Sequence, residues 1–268
     1  MTINVDGKTI SKTSSKKPGK KTSKKAGMSN VAIAIMCKTP APGLSKTRLS
    51  PPLHPSECAA LSACFIRDLS STIAELGESD GIVPYAVYTP IGSEASLAAL
   101  LPAGFRLTPQ CEGDFGARLL QGIVDLLADG HAGVILVNSD SPTLPIDVLR
   151  AAATAVRRGD RVVLSPAIDG GYTLIGLSKV HARLFDDIPW STSDVYRITL
   201  ERAAEIGIAT EIVHGWYDVD DAASLRMLEN ELSGIRPAFI EVGIEGAVAL
   251  HTRTFMSDRQ RRSKVKPS

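Results

Sequence analysis

Apolar residues fall along this chain in two alternating patterns. Val31–Met36, Gly133–Val137 and Arg161–Ser165 are short, nearly unbroken apolar runs, as in strands covered on both faces. Ile82–Tyr88 alternates and is rich in β-formers, and Phe105–Thr108, Tyr172–Gly176 and Thr210–Val213 read as further extended segments. Between the runs, apolar residues recur every three or four positions. Ser56 opens one such stretch, in which Ala59, Ala60, Ala63, Ile66, Leu69, Ile73 and Leu76 share a face, and Gly77 suits its end. Ser93–Leu101, Gly116–Leu127, Pro145–Arg157, Ser191–Ile206 and Asp221–Leu232 read as further helices. Strands alternating with helices predict an α/β fold, a three-layer α/β/α sandwich around a mostly parallel sheet.

The two ends break the alternation. Residues 1–28 are rich in Lys, Ser, Thr and Gly, and eight lysines stand there against the single acid Asp6. So little apolar surface does not offset the entropy of ordering, and a disordered basic leader is expected. Met28 is an alternative start. Residues 29–232 form the predicted domain. Residues 233–268 show no strong period and end in Arg259, Arg261, Arg262, Lys264 and Lys266, so a partly ordered extension and a loose basic tail are expected. The whole chain carries a net charge of +1, which leaves the body mildly acidic and argues against a nucleic-acid partner for the folded part. The apolar fraction of 44% is ordinary for a globular protein. No apolar run approaches the roughly 20 residues of a membrane span, and no apolar segment follows the basic start as in a secretory signal. Cys37, Cys58, Cys64 and Cys111 form no CxxC pair, which fits free thiols in a cytoplasmic protein.

Polar segments rich in Gly and Pro follow each buried run, where an α/β sheet gathers its ligands. After the first comes Cys37-Lys-Thr-Pro-Ala-Pro-Gly-Leu-Ser-Lys-Thr-Arg-Leu49. Clustered phosphate charges call for close backbone approach, here at Gly43, and for cations, here Lys38, Lys46 and Arg48. Pro40 and Pro42 stiffen the loop. The spacing is not that of a Walker loop. After the second run, Asp140 stands ahead of Pro142, placed to hold a divalent cation or to serve as a turn residue. After the third, Asp169-Gly-Gly-Tyr172 offers close approach at Gly170 and Gly171. Asp169 there can orient an acceptor, act as a base, touch a metal or simply make the turn. In Trp216-Tyr-Asp-Val-Asp-Asp221, Asp220 or Asp221 suits a helix cap, and Asp218 suits a second metal ligand. Gln110-Cys-Glu-Gly-Asp-Phe-Gly-Ala-Arg118 precedes a helix, and Gln110, Gly113, Asp114 and Arg118 are candidates for contacting a base or ribose. A Gly-rich turn with a surface ion pair is the alternative.

These segments, in this order, resemble the bacterial glycosyltransferase-A-like transferases of the arsenosugar-biosynthesis type. Lys38–Leu49 is similar to that family's KxPxPGxxKTRL signature. Gln110–Arg118 is similar to QGxGDLGxR, with Cys111 for the first Gly and Phe115 for the Leu. Asn138–Leu144 matches (G/N)xDxPxL, Asp169–Leu177 matches DGGYxLIGL, Trp190-Ser191-Thr is similar to its W-S/T segment, and Asp218–Leu225 resembles DVDxxxxL. The resemblance spans residues 30–232. It implies a nucleotide-diphospho-sugar transferase fold, related to the 2-phospho-lactate and molybdenum-cofactor guanylyltransferases. By that resemblance Lys46 and Arg48 meet donor phosphates, Asp140 and Asp218 hold Mg²⁺ or Mn²⁺, and Lys46, Asp169 and Asp218 work at the reaction centre. Gly170, Gly171, Tyr172, Trp190 and Ser191 would face the substrate.

The expected activity is metal-dependent transfer between a nucleotide or nucleotide-sugar donor and a small-molecule acceptor. Glycosyl transfer ranks first. The cationic first loop keeps nucleotidyl transfer, with pyrophosphate leaving, as the alternative, and a non-catalytic nucleotide-sugar-binding protein as a third. No GxSxG elbow is present, and His54, His131, His181, His214 and His251 fall outside any triad pattern.

Overall fold

The structure, a computed structural model, describes residues 3–4, 29–77, 80–241 and 243–265. Apart from Ile3 and Asn4, the basic leader lies outside the described residues. In chain order the strands are β1 (Ile3–Asn4), β2 (Val31–Lys38), β3 (Ile82–Thr89), β4 (Arg106–Pro109), β5 (Gly133–Asn138), β6 (Arg161–Pro166), β7 (Tyr172–Leu177) and β8 (Ala209–Ile212). The helices are α1 (Pro55–Leu76), α2 (Glu94–Ala98), α3 (Phe115–Ala128), α4 (Ile146–Arg157), α5 (Val195–Glu205), α6 (Ala222–Leu232) and α7 (Leu250–Val265). Among the described residues the strands make one sheet in the order β1-β4-β3-β2-β5-β7-β6-β8.

Strand β2 lies at the centre and shows how the layers arise. Its residues alternate between faces, because successive side chains of a strand point opposite ways. Val31, Ile33, Ile35 and Cys37 join the larger core with α1 and α4, through residues such as Leu61, Phe65, Leu149 and Ala152. Ala32, Ala34 and Met36 join the smaller core with α3 and α5, through Leu119, Ile123, Leu126 and Ala203. Both faces are covered, so the run is apolar throughout. The result is the expected three-layer α/β/α sandwich.

Two features set the site's position. β2 pairs in parallel with β3 and β5, and β3 with β4. β7 enters between β5 and β6 and runs antiparallel to both, while β6 pairs in parallel with β8. The turn from β6 to β7 therefore returns along the same sheet edge as the loops after β2 and β5. Asp169 lies in that turn, and Asp140 and Lys46 lie in those loops.

Two segments differ from the sequence pattern. The helix expected from Ser191 begins only at Val195: Ser191 has φ 67°, and the 191–194 segment is held instead as a turn against Gly170. The extension, expected to be only partly ordered and to end in a loose tail, contains the 16-residue helix α7, which packs on α1. The side chain of Asp68 on α1 is buried and accepts from the backbone N–H groups of His251 (2.9 Å) and Thr252 (2.8 Å). It thereby satisfies two of the donors that a helix start leaves open. Arg259 of α7 reaches the carbonyl of Pro52, just past the first loop (3.1 Å). With few apolar residues turned inward (Met256 is one), α7 leaves almost no periodic trace in the sequence.

Candidate functional site

The loop after β2 turns at Gly43 (φ 75°) and again at Lys46, whose φ of 50° and ψ of 42° are left-handed. That second turn carries the Lys46 side chain inward. Its ammonium lies 2.7 Å from Asp140 Oδ1, 2.8 Å from Asp220 Oδ1 and 2.8 Å from the carbonyl oxygen of Val219. Only 6% of the side chain is exposed. Burial works to lower the lysine pKa, and the charges of Asp140 and Asp220 overcome it, so the net shift is upward. The backbone N–H of Val219 donates to the carbonyl of Asp140 (2.9 Å), which ties the loop after β5 to the 216–221 segment. The positive loop and the acidic loops thus meet in one place.

Around this ion pair lies an open cavity of about 270 Å³, lined by Lys38, Leu44, Ser45, Lys46, Thr47, Arg48, Ser62, Ser139, Asp140 and Asp220. Lys38 and Arg48 are exposed on its rim, and among the described residues neither has a carboxylate partner. Cys37, at the end of β2, is buried; burial first, then the Asp140 charge, push its thiol up to about 12. That thiol stays protonated and is no nucleophile.

Asp218 lies outside the cavity lining but within reach of the charges of Asp169, Asp220 and Asp140. Burial, then the charges of Asp169, Asp220 and Asp140, raise its carboxyl to about 7. The sign of the consequence is fixed. In the folded, metal-free protein Asp218 keeps a proton that the unfolded chain releases near pH 4. The contribution of Asp218 to stability therefore falls as pH rises from about 4 to about 7. Asp218→Asn removes this penalty. At pH 8 in EDTA it should melt about 5 °C above the parent, as roughly 2 kcal/mol would give in a domain this size once partial solvent access is allowed for. At pH 4 the two should coincide. Equal melting temperatures at pH 8 would mean that the carboxylates do not repel.

Asp169 sits in the β6–β7 turn, where its side chain accepts from the N–H of Gly171 (2.9 Å). Gly170 has φ 92°, and a Cβ there would lie 2.1 Å from the carbonyl oxygen of Ser193. The Gly170 carbonyl also accepts from the N–H of Tyr196 (2.9 Å). The turn is consequently clamped against the segment that precedes α5.

The residues singled out in Gln110–Arg118 form a separate group, outside the cavity lining. Both N–H bonds of the Gln110 amide are engaged by the carbonyls of Cys37 (3.1 Å) and Val87 (3.0 Å), at the ends of β2 and β3. Asp114 caps α3, accepting from the N–H of Ala117 (2.8 Å). Both side chains thus carry structural hydrogen bonds, and the surface ion pair named as the alternative is not formed between Asp114 and Arg118 among the described residues. Gly113 has φ 122°. Arg118 lies over the Phe115 ring at 5.6 Å, and Phe115 meets Trp190 edge-on at 5.1 Å. A Cβ on Gly116 would come within 2.8 Å of Trp190 Nε1, so the glycine makes room for the tryptophan. Tyr172 belongs with the smaller core, its hydroxyl buried and not offered to a substrate.

Sequence reasoning passed over Asp220, considered there only as a helix cap. Asp221 makes that cap, accepting from Ala223 and Ser224. The signal was the i, i+2 spacing of Asp218 and Asp220 in an extended segment, which brings both toward one side.

Asp140 and Asp218 supply hard oxygen donors, the kind Mg²⁺ or Mn²⁺ takes from one or two carboxylates before water and phosphate oxygens complete its shell. Among the described residues no three His, Cys, Asp or Glu side chains stand at the spacing of an all-protein metal cage. Two carboxylates are the donor chemistry that a cation shared with a ligand would take.

Residues 72–192 match the family model described as "Uncharacterized protein conserved in bacteria (DUF2064)". No curated protein sequence matches the chain. Among solved structures, one from Desulfovibrio desulfuricans G20, assigned as a nucleotide-diphospho-sugar transferase, superposes with a TM-score of 0.74 at 26% identity, covering 87% of this chain and 96% of that one. CMP:2-keto-3-deoxy-manno-octonic acid synthetase in complex with CTP shares the fold at a TM-score of 0.50 and 10% identity, over 77% of this chain and 99% of that one. A 4-diphosphocytidyl-2C-methyl-D-erythritol synthase does so at 0.50 and 9%, over 75% and 96%. Among the described residues no helix is long and apolar enough to cross a membrane. By its sheet and its likeness to the Desulfovibrio desulfuricans structure, the chain has the nucleotide-diphospho-sugar transferase fold and is similar to transferases of that superfamily.

Proposed function

We propose that the protein is a metal-dependent transferase that uses a nucleotide donor, with glycosyl transfer from a nucleotide-sugar to a small-molecule acceptor as its reaction. One observation carries this reading: Lys38 and Arg48, without carboxylate partners among the described residues, stand on the rim of a cavity whose floor gathers Asp140 and Asp220, with Asp218 within reach of their charges. A cationic rim beside an acidic floor suits a diphosphate bridged to a divalent cation. Arg48 can grip two phosphate oxygens at once, and Lys38 adds a point charge. Asp140 and Asp218 would hold Mg²⁺ or Mn²⁺, which when bound would neutralise charge gathering on the leaving group. Asp169 is left to orient the acceptor and receive its proton. The relative with a TM-score of 0.74 is described as a nucleotide-diphospho-sugar transferase, which supports a nucleotide-sugar donor. Four free cysteines, two of them buried, suit a reducing cytoplasmic setting.

The rim cations favour a second reading, nucleotidyl transfer, because a pyrophosphate leaving group concentrates charge where Lys38 and Arg48 stand. A thermal-shift panel of nucleoside triphosphates and nucleotide-sugars, with and without Mg²⁺, separates the two. A ligand at a hundredfold excess over its dissociation constant adds about 2.7 kcal/mol, a shift of several degrees. The expected result is stabilisation by one nucleotide-sugar that requires Mg²⁺, followed by release of nucleoside diphosphate in the presence of acceptor. Stabilisation by a triphosphate with pyrophosphate release would establish the second reading instead. Binding with no turnover of any donor would leave only a nucleotide-sugar-binding protein.

A further inference from the structure

The sequence suggests a phosphate contact for Lys46, but the geometry gives its ammonium other work. An ammonium has three N–H donors. Here Asp140, Asp220 and the Val219 carbonyl take all three, at 2.7, 2.8 and 2.8 Å. The aromatic ring of Phe65 lies 5.6 Å away, and the backbone is held in a left-handed conformation that a lysine keeps only where its surroundings impose it. Lys38 and Arg48, on the same cavity, are exposed and free of carboxylates among the described residues. A ligand's phosphates therefore meet Lys38 and Arg48 first. The carboxylate of Asp140, which a divalent cation needs, is already neutralised by Lys46.

We propose that Lys46 is the resident cation of the acidic pocket: it positions Asp140 and Asp220, and it holds a divalent metal off until a donor diphosphate draws its ammonium away. An ammonium and a divalent ion cannot both sit against the same carboxylate oxygen without strong repulsion. Metal and diphosphate then bind cooperatively, and the coupling is reciprocal by thermodynamic necessity. The inference rests on the donor reading above and makes Lys46 a positioning residue.

The test uses Mn²⁺ alone, with the free ion followed by electron paramagnetic resonance as the full-length chain is titrated. Lys46→Met and Lys46→Gln, the latter keeping hydrogen bonds without charge, should each bind Mn²⁺ about tenfold tighter than the parent, within the usual range of site-to-site coupling. Adding pyrophosphate, UDP, CDP or GDP, with protein-free controls for chelation, should tighten Mn²⁺ binding in the parent and do so less in the variants. A purely structural lysine would not change affinity for Mn²⁺ in this direction. Should a variant unfold without metal, refolding by Mn²⁺, read by circular dichroism, supports the proposal, and failure to refold in both variants overturns it. Unchanged Mn²⁺ affinity in folded variants, with nucleotide-dependent metal binding by the parent, overturns the Lys46 proposal and leaves the donor reading intact. Tighter binding by the variants, with no response of the parent to any of the four anions, supports the resident cation but overturns its displacement by a diphosphate, and with it the donor reading.

Discussion

Asp140→Asn should lower turnover of the cognate donor by about 10²–10³-fold, the usual cost of removing one well-placed electrostatic partner of a transition state. Melting behaviour should stay close to the parent's. The substitution is isosteric, and Lys46 keeps Asp220 and the Val219 carbonyl as partners, so no buried cation is left alone. The loss should appear in kcat at saturating donor and Mg²⁺, because the interaction at stake grows as charge moves onto the leaving group. A variant with more than a tenth of parental kcat would remove Asp140 from the metal site.

Gly170→Ala addresses the other half of the site. The glycine has φ 92°, and an added Cβ would meet the Ser193 carbonyl oxygen at 2.1 Å, closer than real Cβ contacts come. Backbone must move, and the hydrogen bond from Tyr196 to the Gly170 carbonyl would be strained with it. Destabilisation on the order of 2–4 kcal/mol is expected, a fall in melting temperature of about 5–15 °C for a domain of this size. Activity should fall further than stability, since the turn that carries Asp169 shifts. Gly43→Ala is the control: its φ of 75° is also left-handed, but nothing lies within 4 Å of the added Cβ. Only the conformational strain of about 1–2 kcal/mol remains there. If both variants lose equal stability, the contact with Ser193 does not clamp the turn.

How far each feature could be read from the chain depends on how local its cause is. The central strands are legible because burial on both faces requires continuous apolar runs, as in Val31–Met36. Helix α1 is legible because one face meets the sheet and the other meets water over much of its length. Helix α7 is not, since its anchor is a single distant carboxylate, Asp68, that satisfies backbone groups whatever side chains they carry. The same contrast runs through the site. Asp140 and Asp169 stand out as acids directly beyond strand ends. Asp220 was hidden among neighbours, because its partner Lys46 is 174 residues away. Gln110 and Asp114 look like ligand-contacting groups in a motif, yet their hydrogen bonds go to strand ends and to a helix start.

By itself, then, the order of residues specified the layered α/β architecture and put phosphate-suited and metal-suited groups at the ends of buried strands. Both follow from short-range rules of burial, backbone freedom and charge that act within a few residues. Which strand lies antiparallel, which acid faces which cation, and which lysine stays free for a ligand were decided only when distant loops met along one edge of the sheet. Those are pairings in space, and charges that attract or repel across a buried pocket leave no mark on the spacing of the residues that carry them.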